Sequence, residues 1–206
     1  VSLVLLEDGP EAGPRLVLAH GAGAGMRHPF LEGFAGGLAR RGFRVVRFEF
    51  PYRRAGRSRP DPEKVLLDTW RQVADLLGGG RSLFLGGKSL GGRMASMVAD
   101  ELEARALVCL GYPFHPPGQP RRLRLSHLED LRTPTLILQG TRDPFGSRAE
   151  VEAYRLSPAI RVHWLEDGDH SLVPRRSSGR SQAQNLDEAV EAAAAFLEGV
   201  SREGWR

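Results

Sequence analysis

A serine set between two glycines, Gly87-Lys88-Ser89-Leu90-Gly91, is the residue pattern in this chain with the clearest chemical purpose. A serine hydroxyl is a weak nucleophile until a base takes its proton, and it must stand clear of the backbone to reach a carbonyl carbon. Glycine on either side permits both: without a Cβ at the flanks the chain can turn tightly and push a strained serine outward. The apolar run Leu83-Phe84-Leu85 reads as a strand entering the turn, and a helical segment begins at Leu90. In a chain with 25 glycines the five-residue pattern means little, and the strand–turn–helix context gives it its weight.

Activation requires a base and an acid to orient it, and both follow downstream in order. Thr135-Leu136-Ile137-Leu138-Gln139 reads as a buried strand, and Asp143 lies on the loop after it. A further strand, Ile160-Arg161-Val162-His163-Trp164, leads to Glu166-Asp167-Gly168-Asp169-His170. Ser89, Asp143 and His170 thus each sit just beyond a strand's carboxyl end, where the ligand-facing groups of open α/β sheets gather. Asp143 could instead open a turn before Pro144, and Asp167 and Asp169 stand too close to His170 in the chain to face its ring easily. An early strand, Arg15-Leu16-Val17-Leu18-Ala19, precedes His20-Gly21-Ala22-Gly23-Ala24-Gly25, whose small residues let backbone N–H groups turn toward the site. The N–H of Leu90 and that of Ala22 or a neighbour are the expected donors to an oxyanion.

Two nucleotide-binding readings fail on spacing. Gly87-Lys88-Ser89 would end a phosphate-binding loop, but that motif needs glycine where Ser82 stands, and residues 82–85 read as strand. Gly21-x-Gly23 would begin a dinucleotide fingerprint, yet Met26 and Arg27 are bulky where the third small residue belongs.

The elements that must position these residues alternate as strands and helices of a largely parallel sheet. Strands are expected near 2–6, 15–19, 44–48, 81–85, 106–110, 135–139 and 160–164, and helices near 28–40, 62–77, 90–102, 147–154 and 183–198. Leu66, Trp70, Val73 and Leu77 share one face of the second helix; Leu186, Val190, Ala193 and Leu197 do so in the last. Ser126-His127-Leu128-Glu129 reads as a capping box opening a very short helix. The segment Gly111 to Pro134 is too short for an independent cap and is stiffened by Pro113, Pro116, Pro117 and Pro120, so the cleft should be open and suited to small or exposed acyl groups.

On these motifs the chain resembles the α/β-hydrolases, and within them a small lidless group that includes testis-expressed protein 30 and its bacterial relatives. The matching segments are residues 18–23, Phe50-Pro51-Tyr52, residues 86–93, residues 111–118, residues 139–146 and Gly168-Asp169-His170. The resemblance implies an α/β-hydrolase fold of about seven strands with helices on both faces and no cap domain, and a triad of Ser89, Asp143 and His170. It leaves the substrate open, because some relatives look like scaffold subunits.

The remaining composition fits one domain over residues 1–206. The lone Cys109 lies mid-strand and reads as a buried structural thiol. No run of 18 apolar residues and no signal-like segment is seen, which makes the cytoplasm the expected compartment. Net charge is +4, and arginine supplies all of the 29 basic side chains except Lys64 and Lys88. Arg53, Arg54, Arg57 and Arg59 crowd one loop, read as a solvated loop paired with Asp61 or Glu63. With little aromatic interleaving, nucleic-acid binding is not expected. Arg175, Arg176 and Arg180 read as a mobile surface loop. His115 could approach the cleft but reads better as a rigid loop histidine with no catalytic role; His28 opens the first helix, His127 sits in a short turn of helix, and His163 reads as structural. The expected function is a serine hydrolase acting on a small-molecule carboxylic ester or related acyl compound, without metal or organic cofactor. The alternative is a non-enzymatic scaffold on the same fold.

Overall fold

Strands apolar on both sides build the sheet. In β2 (Arg15–Ala19), Leu16 and Leu18 enter one buried cluster and Val17 and Ala19 the other. β5 (Ala106–Leu110) repeats this, with Ala106, Val108 and Leu110 opposite Leu107 and Cys109. Such strands need helices against each face. The computed structural model, which describes residues 3–203, has that arrangement.

The remaining strands are β1 (Leu5–Asp8), β3 (Arg44–Phe48), β4 (Leu83–Lys88), β6 (Thr135–Gly140) and β7 (Ile160–Leu165). They form a seven-stranded sheet in the order β1-β3-β2-β4-β5-β6-β7. Only β1 runs antiparallel to its neighbour, β3. The chain leaves β2 toward β3 and returns on the other side as β4, so the topological switch point lies between β2 and β4. The loop after β2 and the turn after β4 therefore face each other across a crevice.

α1 (Pro29–Ala39) and α6 (Gln182–Glu203) cover one face, where Phe30, Phe34 and Leu38 meet Val190, Ala193 and Leu197. α3 (Glu63–Leu76) and α4 (Leu90–Val98) cover the other. Trp70 of α3 is fully buried and meets Phe48 edge-on at 4.8 Å; truncating such a residue to alanine costs about 3–5 kcal/mol. Leu66, Trp70 and Val73 are buried as their spacing requires, with Leu77 packed at the margin.

Several boundaries differ from the sequence expectation. The first strand starts later than 2–6, because its position is set by pairing of Leu5 with Phe48 and Asp8 with Val45; residue 2 of the expected strand lies outside the described residues. The nucleophile strand is shifted to Leu83–Lys88 after a 3-10 turn at Gly80–Ser82, since β2 and β5 hydrogen-bond through its glycines. The helix expected over 90–102 ends at Val98, as Asp100 turns to accept from the Thr133 N–H at 2.8 Å and Glu103 adopts φ +52°. The helix expected over 147–154 is one turn, α5 (Arg148–Val151), and the last runs past 198. A short α2 (Pro51–Arg54) was not foreseen.

Ser126–Leu128 is a 3-10 turn without a side-chain cap. Instead Glu150 reaches back to Ser147, accepting from its N–H at 2.8 Å and its hydroxyl at 2.6 Å. The segment from Gly111 to Pro134 forms no cap domain: Tyr112, Phe114, Leu125, Leu128 and Leu131 fold into the core. The 175–180 loop is better anchored than expected. Asp167 accepts from the backbone N–H and the guanidinium of Arg175, and Arg180 pairs with Glu188. Arg57 pairs with Asp61 at 2.7 Å, whereas Glu63 pairs with Arg93. Among the described residues no helix is long and apolar enough to cross a membrane.

Candidate active site

Ser89 occupies the turn between β4 and α4 with φ +50° and ψ −113°, a region costly for any residue with a Cβ. Its conformation is over-determined. The Ser89 N–H donates to Leu110 O and its carbonyl accepts from Arg93 N–H, both at 2.9 Å. The flanking glycines are required by contact as well as by turning. A Cβ on Gly91 would stand 2.5 Å from Ala19 O, and one on Gly87 would stand 2.4 Å from the Gly91 carbonyl carbon.

The loops after β6 and β7 converge on this serine. Asp143 closes a turn with its N–H on Gly140 O at 3.1 Å and is wholly buried. His170 lies with Nε2 2.9 Å from Ser89 Oγ and Nδ1 2.8 Å from Asp143 Oδ2. An ionised carboxylate can only accept, so Nδ1 carries the hydrogen and Nε2 is left to accept from the serine hydroxyl. Asp143 takes two further donors, Gln139 Nε2 at 3.0 Å and Phe145 N–H at 2.8 Å. The Phe145 ring stacks on the imidazole at 4.0 Å. Burial holds His170 below the ordinary imidazole range; the Asp143 hydrogen bond opposes this and the nearby Lys88 charge adds to it. The resulting neutral imidazole is the form a general base requires.

The loop after β2 is held from beneath by residues whose roles the sequence did not announce. His20 Nε2 accepts from Phe50 N–H at 3.1 Å, which leaves Nδ1–H to donate to Gly21 O at 2.8 Å. Tyr52 donates its hydroxyl to Ala22 O at 2.9 Å. With those carbonyls held, the N–H of Ala22 has no protein acceptor among the described residues, nor has that of Leu90 at the start of α4. Gln139 is a third such residue: besides donating to Asp143 it accepts from Tyr112 N–H at 2.7 Å, tying the acid to the segment after β5. The quoted segments Phe50-Pro51-Tyr52 and Gln139-Gly140 contained these residues, but no spacing rule marked them as supports.

Ser89, His170, Ala22 and Lys88 line an open cleft of about 310 Å³. His28 caps α1, accepting from Phe30 N–H, and also borders the cleft. His115 does not reach it; its ring is buried beside Glu150. His127 bonds Ser96 and Tyr112 and is pushed by burial to about 4. His163 pairs with Glu188, and Cys109 is buried. Asp169 accepts from the N–H groups of Ser171 and Val173 and makes no hydrogen bond to the imidazole. A larger hollow of about 400 Å³ pairs Arg81 with Glu103 and Arg132 with Asp100, sets Arg105 over the Phe84 ring, and has no serine, cysteine or histidine in its lining. Among the described residues no three His, Cys, Asp or Glu side chains gather as metal ligands do.

Comparison with known proteins agrees with this architecture. Residues 12–198 match the profile of a family described as an alpha/beta hydrolase domain. A serine hydrolase homologue from Coxiella burnetii superposes with a TM-score of 0.71 at 19% identity, covering 91% of this chain and 89% of that one. A serine hydrolase without a lid from Xanthomonas campestris gives 0.68 at 21% identity, over 98% and 88% of the two chains. Est1E from Butyrivibrio proteoclasticus gives 0.72 at 14% identity, over 97% and 95%. At these identities the structures speak to the fold.

Proposed function

The chain belongs to the α/β-hydrolase family, and from that membership and the cleft we propose that it is a serine hydrolase acting on small carboxylic esters or related acyl compounds. The observation that carries the reading is the continuous contact Ser89 Oγ–His170 Nε2–Nδ1–Asp143 Oδ2, at 2.9 Å and 2.8 Å. In the proposed mechanism His170 accepts the serine proton as Oγ adds to the carbonyl carbon. Asp143 keeps the proton on Nδ1 and stabilises the imidazolium that forms. The N–H groups of Ala22 and Leu90 receive the developing oxyanion, each donor being worth about 3–4 kcal/mol of barrier. His170 then returns its proton to the leaving group, and the same residues direct water onto the acyl-enzyme. The open cleft supports small or exposed acyl groups over chains that need an enclosing tunnel. Kinship with the testis-expressed protein 30 group is part of this proposal and rests on the motif segments.

The test is labelling by a fluorophosphonate probe. Native wild-type protein should label, whereas Ser89→Ala and heat-denatured wild type should not. A folded wild type that resists the probe would sink the enzyme reading and turn attention to a scaffold role.

A further inference from the structure

Lys88 is a cation that the proposed chemistry does not use, yet it lines the cleft beside Ser89. The only other lysine, Lys64, is on the surface and pairs with Asp68 at 2.6 Å. Lys88 Nζ makes no ion pair and no hydrogen bond with any described residue; it stands over the face of Phe30, 5.8 Å from the ring centroid. Nζ and His170 Nδ1 crowd the same point beside Gly111, at 3.0 Å and 3.3 Å from where a Cβ on that glycine would sit.

No aspartate or glutamate lines the cleft. Asp143 is buried behind His170, and Asp169 is occupied by its own loop's N–H groups. The positive ends of two helices open toward the same space, α4 at Leu90 and α1 at His28–Phe30. An ammonium drawn out of water, with the carboxylates that act on it, Asp143 and Asp169, beyond ion-pair reach, gains most from an anion that arrives with the ligand.

We propose that Lys88 is a specificity-determining residue that selects substrates carrying a carboxylate, or an anion of similar size, close to the scissile acyl bond. The proposal rests on the serine-hydrolase reading above for the word substrate, but the anion site itself does not depend on turnover. The charged and titratable groups facing Lys88 are Asp143, Asp169, His170 and His28. Burial draws the ammonium down to about 8 against the support of the two aspartates, so the selection should weaken as pH rises past about 8.

The experiment has two arms, each read as a ratio so that a general loss of activity cancels. In the first, kcat/KM is measured for p-nitrophenyl hydrogen succinate and for the neutral, similarly shaped p-nitrophenyl 4-methylpentanoate, using wild type, Lys88→Met and Lys88→Gln. Wild type should favour the anionic ester by about tenfold, the scale of one charge-assisted hydrogen bond, and both variants should lose the preference. In the second, calorimetry compares monomethyl succinate with dimethyl succinate on the Ser89→Ala protein, with and without Lys88→Met. The monoanion should bind about tenfold tighter only where Lys88 is present. If both esters turn over and either variant lowers them equally, Lys88 acts on His170 alone and the proposal is overturned. Equal binding of the two succinates overturns it as well. If no ester turns over but the Lys88-dependent binding holds, the anion site stands and the hydrolase reading fails.

Discussion

Replacing Asp143 by asparagine tests the relay, because three donors converge on that carboxylate. His170 Nδ1 and Gln139 Nε2 meet Oδ2 at 2.8 Å and 3.0 Å, and Phe145 N–H meets Oδ1 at 2.8 Å. An amide offers one oxygen and one NH₂, so one side must face donor against donor. If the NH₂ turned toward Phe145, that N–H would lose its acceptor. If it turns toward His170, Gln139 Nε2 still has Gly146 O at 3.1 Å and Tyr112 O at 3.3 Å, and the imidazole answers by moving its proton to Nε2. The second orientation is therefore favoured, and it places a hydrogen where Ser89 needs an acceptor. The loss expected from a wrong tautomer is about 10⁴-fold in kcat, roughly 5 kcal/mol of barrier. Stability should change by no more than about 3 kcal/mol, the scale of exchanging a charge-assisted bond to the carboxylate for a neutral one. Hydrolysis of p-nitrophenyl acetate and urea unfolding of Asp143→Asn would measure both. A folded variant within tenfold of wild type would refute the argument and leave Asp143 as a turn residue.

Other substitutions probe the supports. Tyr52→Phe frees Ala22 O from its 2.9 Å donor; kcat should fall about tenfold as the oxyanion loop loosens, with about 1 kcal/mol lost in stability. Gly140→Ala would set a Cβ 2.3 Å from Gly168 O and 2.5 Å from Asp169 O, whereas a Cβ on Gly23 meets nothing within 4 Å. The first should cost at least about 2 kcal/mol and most of the activity by parting the acid and base loops, and Gly23→Ala should melt as wild type does. The acid limb of kcat/KM should lie below 6.5, because burial lowers His170 and activity needs its neutral form. Burial lowers His20, His127 and His170 alike, so below 6.5 the unfolded chain binds protons that the native state refuses. Stability should therefore decline as pH falls from 6.5 toward about 4, the value for His127, and thermal melts across that range would show it; a flat profile would contradict the buried-neutral assignment.

The parts of the site legible in the sequence were those with a local signature. Gly87-Lys88-Ser89-Leu90-Gly91 carries its own turn chemistry, and β6 and β7 carry apolar runs that place Asp143 and His170 just beyond strand ends. The Gly-rich loop after β2 was legible for the same reason. What the sequence hid depends on tertiary contact. Tyr52 becomes a loop support only because β3 lies beside β2, and Gln139 gains its two bonds to Tyr112 only where β5 and β6 are neighbours. The helix boundaries failed on similar grounds: nothing local to residues 99–103 says that Asp100 will leave the helix to hold the N–H groups of Arg132 and Thr133.

A cleft without a cap meets a physical difficulty, and the supports answer it. Water has access to the proposed oxyanion site, so each donor would act in a higher effective dielectric than under a lid, and its attraction would be weaker. Fixing donors beforehand offsets part of that loss, since a preorganised dipole need not reorient as charge develops. The contacts at Ala22 O, Gly21 O and Ser89 N–H hold backbone that would otherwise be a loose glycine loop and a strained turn. The same openness limits selection by shape, because few walls surround a substrate. Recognition must then fall to the lining of the cleft, where Lys88 is the cation left without a protein partner. On the reading proposed above, its charge is the feature through which a shallow site of this kind would discriminate among acyl compounds that otherwise all reach Ser89.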